Sequence, residues 1–144
     1  MASTAPHDGA VIERLIEVSF RVSGLLTRIA AANDVSLTQL RLLAMLRETR
    51  PRMAVLADRL GLDRSTISGL IDRAVTRGLV ERVGNPDDAR VVHVALTDAG
   101  RQLADLLHHE MAGAVAEITG RLGGAERADL LYLLDRMLDD LAHP

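Results

Sequence analysis

The sequence predicts a mainly α-helical fold with a small β-wing. The core has to be built from Leu, Val, Ile and Ala, because the 144 residues include one Phe, one Tyr and no Trp. Such a composition favours helices over a β-sandwich. Apolar residues recur at helical steps along most of the chain and alternate at strand spacing only between residues 79 and 96. At this length the chain forms one domain, or one domain with an extension for oligomerisation.

A long first helix is expected from about Ala10 to Ala32. Its apolar residues recur at alternating steps of four and three, which makes a heptad-like stripe along one side. The stripe consists of Val11, Leu15, Val18, Val22, Leu25 and Ile29.

A second helix should begin at Ser36. The segment Ser36-Leu37-Thr38-Gln39 has the spacing of a capping box, in which the first and last residues bond each other's backbone N–H. The apolar face of this helix is Leu40, Leu43, Ala44 and Leu46. Proline pushes the residue before it out of the helical region, so Arg50-Pro51 is expected to end the helix.

The next two helices are predicted to form a helix-turn-helix. The short third helix runs from Arg52 to Leu60. Its inward residues are Met53, Leu60 and either Leu56 or Val55. Gly61 is suited to the left-handed conformation that ends such a helix. Asp63 is suited to cap the fourth helix by accepting a hydrogen bond from the backbone N–H of Ser65 or Thr66.

The fourth helix should have two different faces and should end at Gly78. Its buried side is Ile67, Leu70, Ile71, Ala74 and Val75. Its outer side is small, polar and cationic, with Arg64, Ser65, Ser68 and Asp72. A helix with such an outer face is typical of one that lies in the major groove of DNA.

A two-stranded wing should follow, with strands at Leu79 to Val83 and Arg90 to Leu96. Gly84-Asn85-Pro86-Asp87 supplies the residues of a turn, and Arg90 lies near the tip. The inward set of the second strand is Val92, Val94 and Leu96.

Two helices should complete the chain. Thr97 is the expected N-cap of the fifth, and Gly123-Gly124 should separate it from the sixth. The apolar stripe of the fifth is Leu103, Leu107, Met111, Ala114, Ile118 and Leu122, and that of the sixth is Leu130, Leu134, Met137 and Leu141. The first and last helices carry more apolar surface than the middle of the chain could cover, so we expect a dimer. The alternative is packing within one chain.

Charge is distributed unevenly along the sequence. The net charge is −3, yet residues 41–101 contain 11 Arg against 8 acidic residues, and residues 102–144 contain 3 Arg against 8. The excess of positive charge therefore coincides with the helix-turn-helix and wing. A DNA-facing middle and a C-terminal part turned away from phosphate would have this distribution.

Several classes of function are not expected. The absence of cysteine excludes disulfides, thiol redox sensing and thiolate metal sites. His108 and His109 are adjacent, so on a helix they point about 100° apart and are poorly placed to share a metal. No nucleophile-and-base set or phosphate-binding loop is present, so we predict no enzyme, no metal and no cofactor. No apolar run is long enough to span a bilayer, and residues 1–8 lack the features of a signal peptide, which predicts a cytoplasmic protein.

Residues 52–100 resemble the winged helix-turn-helix of the MarR family of bacterial transcription regulators. The resemblance depends on the capped fourth helix, on the wing turn Asn85-Pro86-Asp87-Asp88-Ala89-Arg90, and on Leu96-Thr97-Asp98-Ala99-Gly100 at the start of the fifth helix. It implies a homodimer that binds a palindromic operator in double-stranded DNA, usually as a repressor. It also implies release of DNA when a small phenolic or other anionic effector binds.

The resemblance assigns roles to individual residues. The DNA-binding residues would be Arg64, Ser65, Thr66, Ser68, Asp88 and Arg90. Arg90 would enter the minor groove, oriented by Asp88 or by Asp63. Gly69 occupies a position where many family members have a longer side chain, which removes one possible contact. A pocket for the effector could involve Phe20, Met45 or Arg82.

The expected organisation has three parts. Residues 1–35 form an N-terminal dimerisation helix, residues 36–100 a DNA-binding lobe, and residues 101–144 the C-terminal dimerisation helices. A different class of function stays open at this point, a winged-helix adaptor that binds proteins and has no sequence-specific affinity for DNA. Salt-dependent DNA binding separates the two.

Overall fold

A computed structural model describes residues 6–141 of the chain, with the side chains of residues 8–139. Over this range there are six helices and one two-stranded antiparallel sheet. The elements are α1 (Pro6–Ala32), α2 (Leu37–Leu46), α3 (Met53–Leu60), α4 (Arg64–Thr76), β1 (Val80–Gly84), β2 (Val92–Leu96), α5 (Asp98–Thr119) and α6 (Gly124–Leu141). They form two compact units, of which the first ends at Met111 and the second begins at Ala112. None of the described helices is long and apolar enough to cross a membrane.

Helix α1 begins at Pro6, four residues earlier than expected. Proline is well tolerated in the first turn of a helix, where its missing N–H has no partner to lose. The stripe on α1 is buried to different extents along its length. Val11 is 66% exposed, whereas Ile29 packs against the core and Ala30 is fully buried. The chain itself therefore covers the end of α1 but leaves its beginning open.

Helix α2 has the predicted capping box, in which Ser36 Oγ accepts from Gln39 N–H and the Gln39 side chain accepts from Ser36 N–H. The prediction that it continues to Arg50 was wrong, because it ends at Leu46. Residues 50–52 lie instead along β2, where Pro51 O accepts from Val94 N–H at 3.0 Å. The helix has to end early so that this segment can pair.

The buried face of α2 is also wider than predicted. Leu42 is fully buried, although the predicted face omitted it, and Ala44 is only half-buried. Helix α2 contacts α1, α3 and β2, so a single stripe cannot describe its surroundings.

The helix-turn-helix has its predicted turn. Gly61 has a φ of 66°, in the left-handed region, and its N–H bonds Asp58 O. In α3 Leu56 and Leu60 are buried as predicted, Ala57 is buried as well, and Val55, the alternative to Leu56, is 38% exposed. In α4 the inward residues are buried as predicted except Val75, which is 38% exposed. At 3.6 residues per turn Val75 lies about 80° from Ile67, at the margin of the buried face.

The wing pairs Val80 with Leu96 and Gly84 with Val92. Strand β1 has the predicted length but lies one residue further along the chain, and β2 begins two residues later than predicted, at Val92. Val94 and Leu96 are buried as expected, and Val92 is half-buried. Ala95 is buried too, so the base of β2 is covered on both faces.

The wing joins α5 through a close contact of backbones. Thr97 caps α5, since its Oγ1 accepts from Gly100 N–H at 3.0 Å, and the same hydroxyl donates to Gly78 O at 2.6 Å. Gly100 is buried against the carbonyl of Leu79, where an added Cβ would lie 1.8 Å from the oxygen. Only glycine fits there, which gives a physical reason for the glycine of the L-T-x-x-G motif.

The last two helices differ in burial. On α5, Leu107 and Ala104 are buried, and Leu103 and Met111 pack against the core. On α6 the described side chains include none that is buried, and Leu131 and Leu138 are more than 60% exposed. The side chain of Leu141, the last residue of the predicted stripe, lies outside the described residues.

Candidate nucleic-acid interface

The N-terminus of α4 is organised by Asp63. Its carboxylate accepts from Thr66 N–H at 2.8 Å, from Ser65 Oγ at 2.7 Å and from Thr66 Oγ1 at 2.9 Å. The hydrogen bond from the Thr66 backbone is the main cause that lowers the pKa of Asp63 to about 2, and the two hydroxyls add to it. The predicted cap is confirmed, with Thr66 as the donor. The charge on Asp63 is therefore fixed at any physiological pH.

The predicted DNA-facing residues of α4 lie on its outer side. Arg64, Ser65 and Thr66 are exposed, whereas Ser68 is half-buried. An added Cβ at Gly69 would meet only the tip of the flexible Arg73 side chain, at 3.3 Å. A longer side chain at position 69 would therefore fit if Arg73 moved.

The tip of the wing is held by local hydrogen bonds. Asp88 Oδ1 accepts from the backbone N–H of Arg90 at 3.0 Å and from its Nε at 3.2 Å. Of the two carboxylates suggested to orient Arg90, Asp88 makes the contact, while Asp63 is engaged within α4. The Arg90 side chain is 92% exposed. It is exposed at the tip of the wing, and Asp88 contacts it through Nε.

An ion pair joins the wing to α4. Arg82 Nη2 on β1 lies 2.6 Å from Asp72 Oδ1 on α4. This contact fixes the side chain of Arg82, one of the three residues suggested for an effector pocket. Of the other two, Met45 packs partly against the core, and Phe20 is 74% exposed on α1. The shared role of these three residues stays a prediction.

Two cavities lie beside the helix-turn-helix, and neither is lined by the three suggested effector residues. The first, of about 280 Å³, is lined by Met53, Ala54, Ala57, Arg64 and Ile67. The second, of about 340 Å³, is lined by Arg52, Met53, Ala54, Arg90, Val91 and Val92. Three arginines, Arg52, Arg64 and Arg90, therefore line cavities at the beginning of α3.

Sequence reasoning missed Arg52. It was treated only as the start of a helix, whereas the structure places it beside Arg90 at the second cavity. Within residues 8–139, neither Arg52 nor Arg64 has an acidic partner. The available signal was an arginine immediately before a helix with no acidic residue within five positions on the C-terminal side.

The described residues contain no cluster of three or more His, Asp or Glu side chains that could hold a metal ion. His108 and His109 are both exposed on α5. His93 Nδ1 lies 2.7 Å from Arg50 O, so this histidine bridges β2 to the segment before α3.

Comparison with known proteins gives the same assignment as the geometry. The sequence profile of the MarR family matches residues 33–91. The HTH-type transcriptional repressor NicR of Pseudomonas putida is 35% identical over 112 residues, which cover 75% of this chain and 70% of NicR. The multiple antibiotic resistance protein MarR of Salmonella typhimurium is 31% identical over 116 residues, which cover 79% of this chain and 81% of that protein.

Solved structures are similar over most of the chain. Apo MarR from Escherichia coli has a TM-score of 0.72 at 31% identity and covers 88% of this chain and 95% of its own. A mutant of the same protein complexed with operator DNA has a TM-score of 0.71 at 29% identity, with coverage of 94% and 99%. AbsC from Streptomyces coelicolor matches the fold over 100% of both chains, with a TM-score of 0.83 at 19% identity. The chain belongs to the MarR family of winged helix-turn-helix transcription regulators.

Proposed function

We propose that this protein is a transcriptional repressor that binds a palindromic operator as a homodimer and releases it when a small anionic effector binds. The observation that carries the proposal is the placement of Arg64 and Arg90 on two sides of the beginning of α3, with neither side chain buried. The relative NicR is a repressor by name, and E. coli MarR has been crystallised on operator DNA. Both support the same activity here.

The exposed cations have different tasks in this proposal. Helix α4 lies in the major groove, where Arg64 and Ser68 reach base edges. Arg90, held at its base by Asp88, enters the minor groove and responds to groove width. Arg52, beside Arg90, contacts a phosphate. No acidic side chain among residues 8–139 pairs with Arg52, which leaves its charge available to a phosphate.

Dimerisation would be provided by the terminal helices. The first half of α1 and the whole described part of α6 expose apolar side chains that need a covering surface. In this proposal residues 1–35 and 101–144 supply that surface, and two lobes of residues 36–100 reach half-sites centred about one DNA turn, roughly 10 base pairs, apart. As a regulator of transcription it would act in the compartment that holds the DNA, which we expect to be the cytoplasm.

Effector response would act through the population of DNA-competent dimers. A small phenolic or anionic molecule that binds one lobe spacing better than another shifts the protein away from the form that meets both half-sites. Phe20, Met45 and Arg82 remain the candidate pocket residues. Titration of phenolic acids against the operator complex tests this part, and unchanged DNA affinity at millimolar ligand would contradict it.

DNA binding itself is tested by its dependence on salt. With about 6 to 10 phosphate contacts per dimer, affinity should fall by about 10³ to 10⁵ between 50 and 200 mM salt. Arg90→Ala and Arg52→Ala should weaken binding to all duplexes to a similar extent, whereas Arg64→Ala and Ser68→Ala should change which operator variants are tolerated. Arg121→Ala, at an exposed position between α5 and α6, is the matched control and should have no effect. A flat salt response would favour a protein-binding adaptor instead.

A further inference from the structure

Two hydroxyl groups at the start of α4 donate their hydrogens to a carboxylate within the protein. Ser65 Oγ lies 2.7 Å from Asp63 Oδ1, and Thr66 Oγ1 lies 2.9 Å from Asp63 Oδ2. An ionised carboxylate can only accept hydrogen bonds, so in both contacts the hydroxyl must be the donor. A hydroxyl has a single hydrogen. What Ser65 and Thr66 can still offer to a ligand is therefore lone pairs.

Because these two hydroxyls can only accept hydrogen bonds from a ligand, the start of α4 is poorly suited to bind a phosphate. Phosphate oxygens are acceptors, and an acceptor cannot bond a hydroxyl whose hydrogen is already donated elsewhere. The Asp63 carboxylate also takes the Thr66 N–H at 2.8 Å, in the position where an anion would otherwise bind a helix N-terminus. In the proposed arrangement the phosphate contact is left to Arg52.

The same polarity suits a small set of base edges. In the major groove, hydrogen-bond donors are presented only by the exocyclic amino groups of adenine N6 and cytosine N4, whereas guanine and thymine present acceptors at the equivalent positions. Ser65 and Thr66 are both exposed, so their remaining lone pairs are accessible to such donors.

We propose that Ser65 and Thr66 accept hydrogen bonds from the exocyclic amino groups of adenine or cytosine in the operator, and that Asp63 is the positioning residue that imposes this preference. The inference rests on the proposed function, because it requires α4 to lie in the major groove. It adds to that function the chemical class of base that the first turn of α4 selects. The low pKa of Asp63 keeps the carboxylate ionised, so the preference is the same throughout the physiological pH range.

The test begins with duplexes enriched by the wild-type protein from a randomised library. Each adenine of the enriched half-site is replaced in turn by purine, and each cytosine by 2-pyrimidinone, which removes the amino group alone. At one or two positions this deletion should weaken wild-type binding by about threefold to tenfold, the range of one neutral hydrogen bond. At the same positions, deletion of the amino group should not weaken DNA binding by Ser65→Ala or Thr66→Val any further, because each variant already lacks one hydroxyl acceptor.

The role of Asp63 is tested with Asp63→Asn. Asparagine is an equally good N-cap, so α4 should stay folded. The asparagine amide, however, can donate from Nδ2 to a hydroxyl oxygen of Ser65 or Thr66. That hydroxyl then no longer donates to residue 63, and its hydrogen becomes available to a base. The preferred base at the coupled position should then shift from adenine or cytosine toward guanine or thymine. Asp58→Asn is the matched control, since it removes one exposed negative charge from α3 and should raise affinity for all duplexes without changing base preference.

The outcomes distinguish this inference from the proposed function. If the wild type enriches a clear sequence but amino-group deletions cost the same in the wild type and both hydroxyl variants, this inference is wrong and the proposed function stands. If Asp63→Asn keeps the original base preference, Asp63 does not set the polarity. A wild type that enriches no sequence at all would overturn both.

Discussion

The central lobe (residues 36–100) and helix α6 both contain several leucines, but most leucines of the lobe are buried and most of those of α6 are exposed. In the lobe Leu40, Leu42, Leu43, Leu46 and Leu56 are almost completely buried, whereas on α6 Leu131, Leu133 and Leu138 are each more than 50% exposed. Apolar periodicity at helical spacing is present in both. The difference teaches that a stripe predicts a face to be covered and does not predict which chain covers it.

The largest expected effect is the loss of dimerisation when the apolar stripe of α6 is changed. Leu134→Glu places a charge in the apolar stripe of α6, and burial of an unpaired charge at an interface costs several kcal/mol. We expect light scattering at micromolar concentration to change from twice 15.6 kDa to 15.6 kDa. Ala128→Glu adds the same charge on the opposite side of α6 and should leave the dimer intact. A wild type that is already monomeric would show that the α6 stripe has no partner.

The second prediction concerns the lobe. Leu56→Ala removes a fully buried side chain of α3 and should lower the free energy of unfolding by about 2 to 5 kcal/mol. Leu138→Ala deletes the same atoms from a side chain that is 62% exposed within the chain. When it is combined with Leu134→Glu, so that the protein is monomeric, Leu138→Ala should lower the free energy of unfolding by less than about 1 kcal/mol. Equal losses in urea denaturation would mean that α6 is covered by its own chain.

The third prediction tests the joint between the wing and α5. Gly100→Ala forces a methyl group against the Leu79 carbonyl and should destabilise the protein by about 1 to 3 kcal/mol. Gly113→Ala, on the same helix and with open space at its Cβ, is the control and should be neutral or stabilising. Thermal unfolding of the two variants measures the contrast. Equal melting temperatures would show that the backbone contact is looser than the structure indicates.

The smallest effect compares two exposed carboxylates. The pKa of Asp63 is lowered to about 2 mainly by a backbone N–H, and that of Glu17 on α1 is lowered by hydrogen bonds from Arg14 and Arg21. Both contribute stability that is present above the ordinary pKa of about 4 and is lost as pH falls through the lowered value. Salt of about 1 M should raise the pKa of Glu17 toward its ordinary value and leave Asp63 nearly unchanged. Titration by NMR measures both, and equal salt responses would contradict this distinction.

Local signals predicted the local structure well. The capping box at Ser36, the turn at Gly61 and the cap at Asp63 each depend on a few neighbouring residues, and each is confirmed. The predicted end of α2 was wrong. The observed end depends on β2, a strand more than 40 residues further along the chain, whose Val94 N–H bonds Pro51 O. Such pairing leaves no trace in the sequence around Arg50.

Only part of the candidate interface could be predicted, because part of it depends on residues that are distant in the sequence. Arg64 and Arg90 belong to motifs with a known spacing, so they could be named from the sequence. Arg52 belongs to no motif, and its position beside Arg90 results from the fold of the segment before α3 along β2. The suggested pocket residues Phe20, Met45 and Arg82 were named from resemblance alone, and their role stays a prediction.

The contact of Gly100 with Leu79 has a mechanical consequence. Because Thr97 also bonds Gly78 O and Leu79 O, the first turn of α5 and the two strands of the wing are expected to move as one rigid body. Slow amide hydrogen exchange at Thr97 and Gly100, equal to that within β1 and β2, would support this rigidity, and faster exchange there alone would contradict it. Arg90 lies between these two strands, at the tip of the wing, so the position of its backbone is expected to follow the first turn of α5.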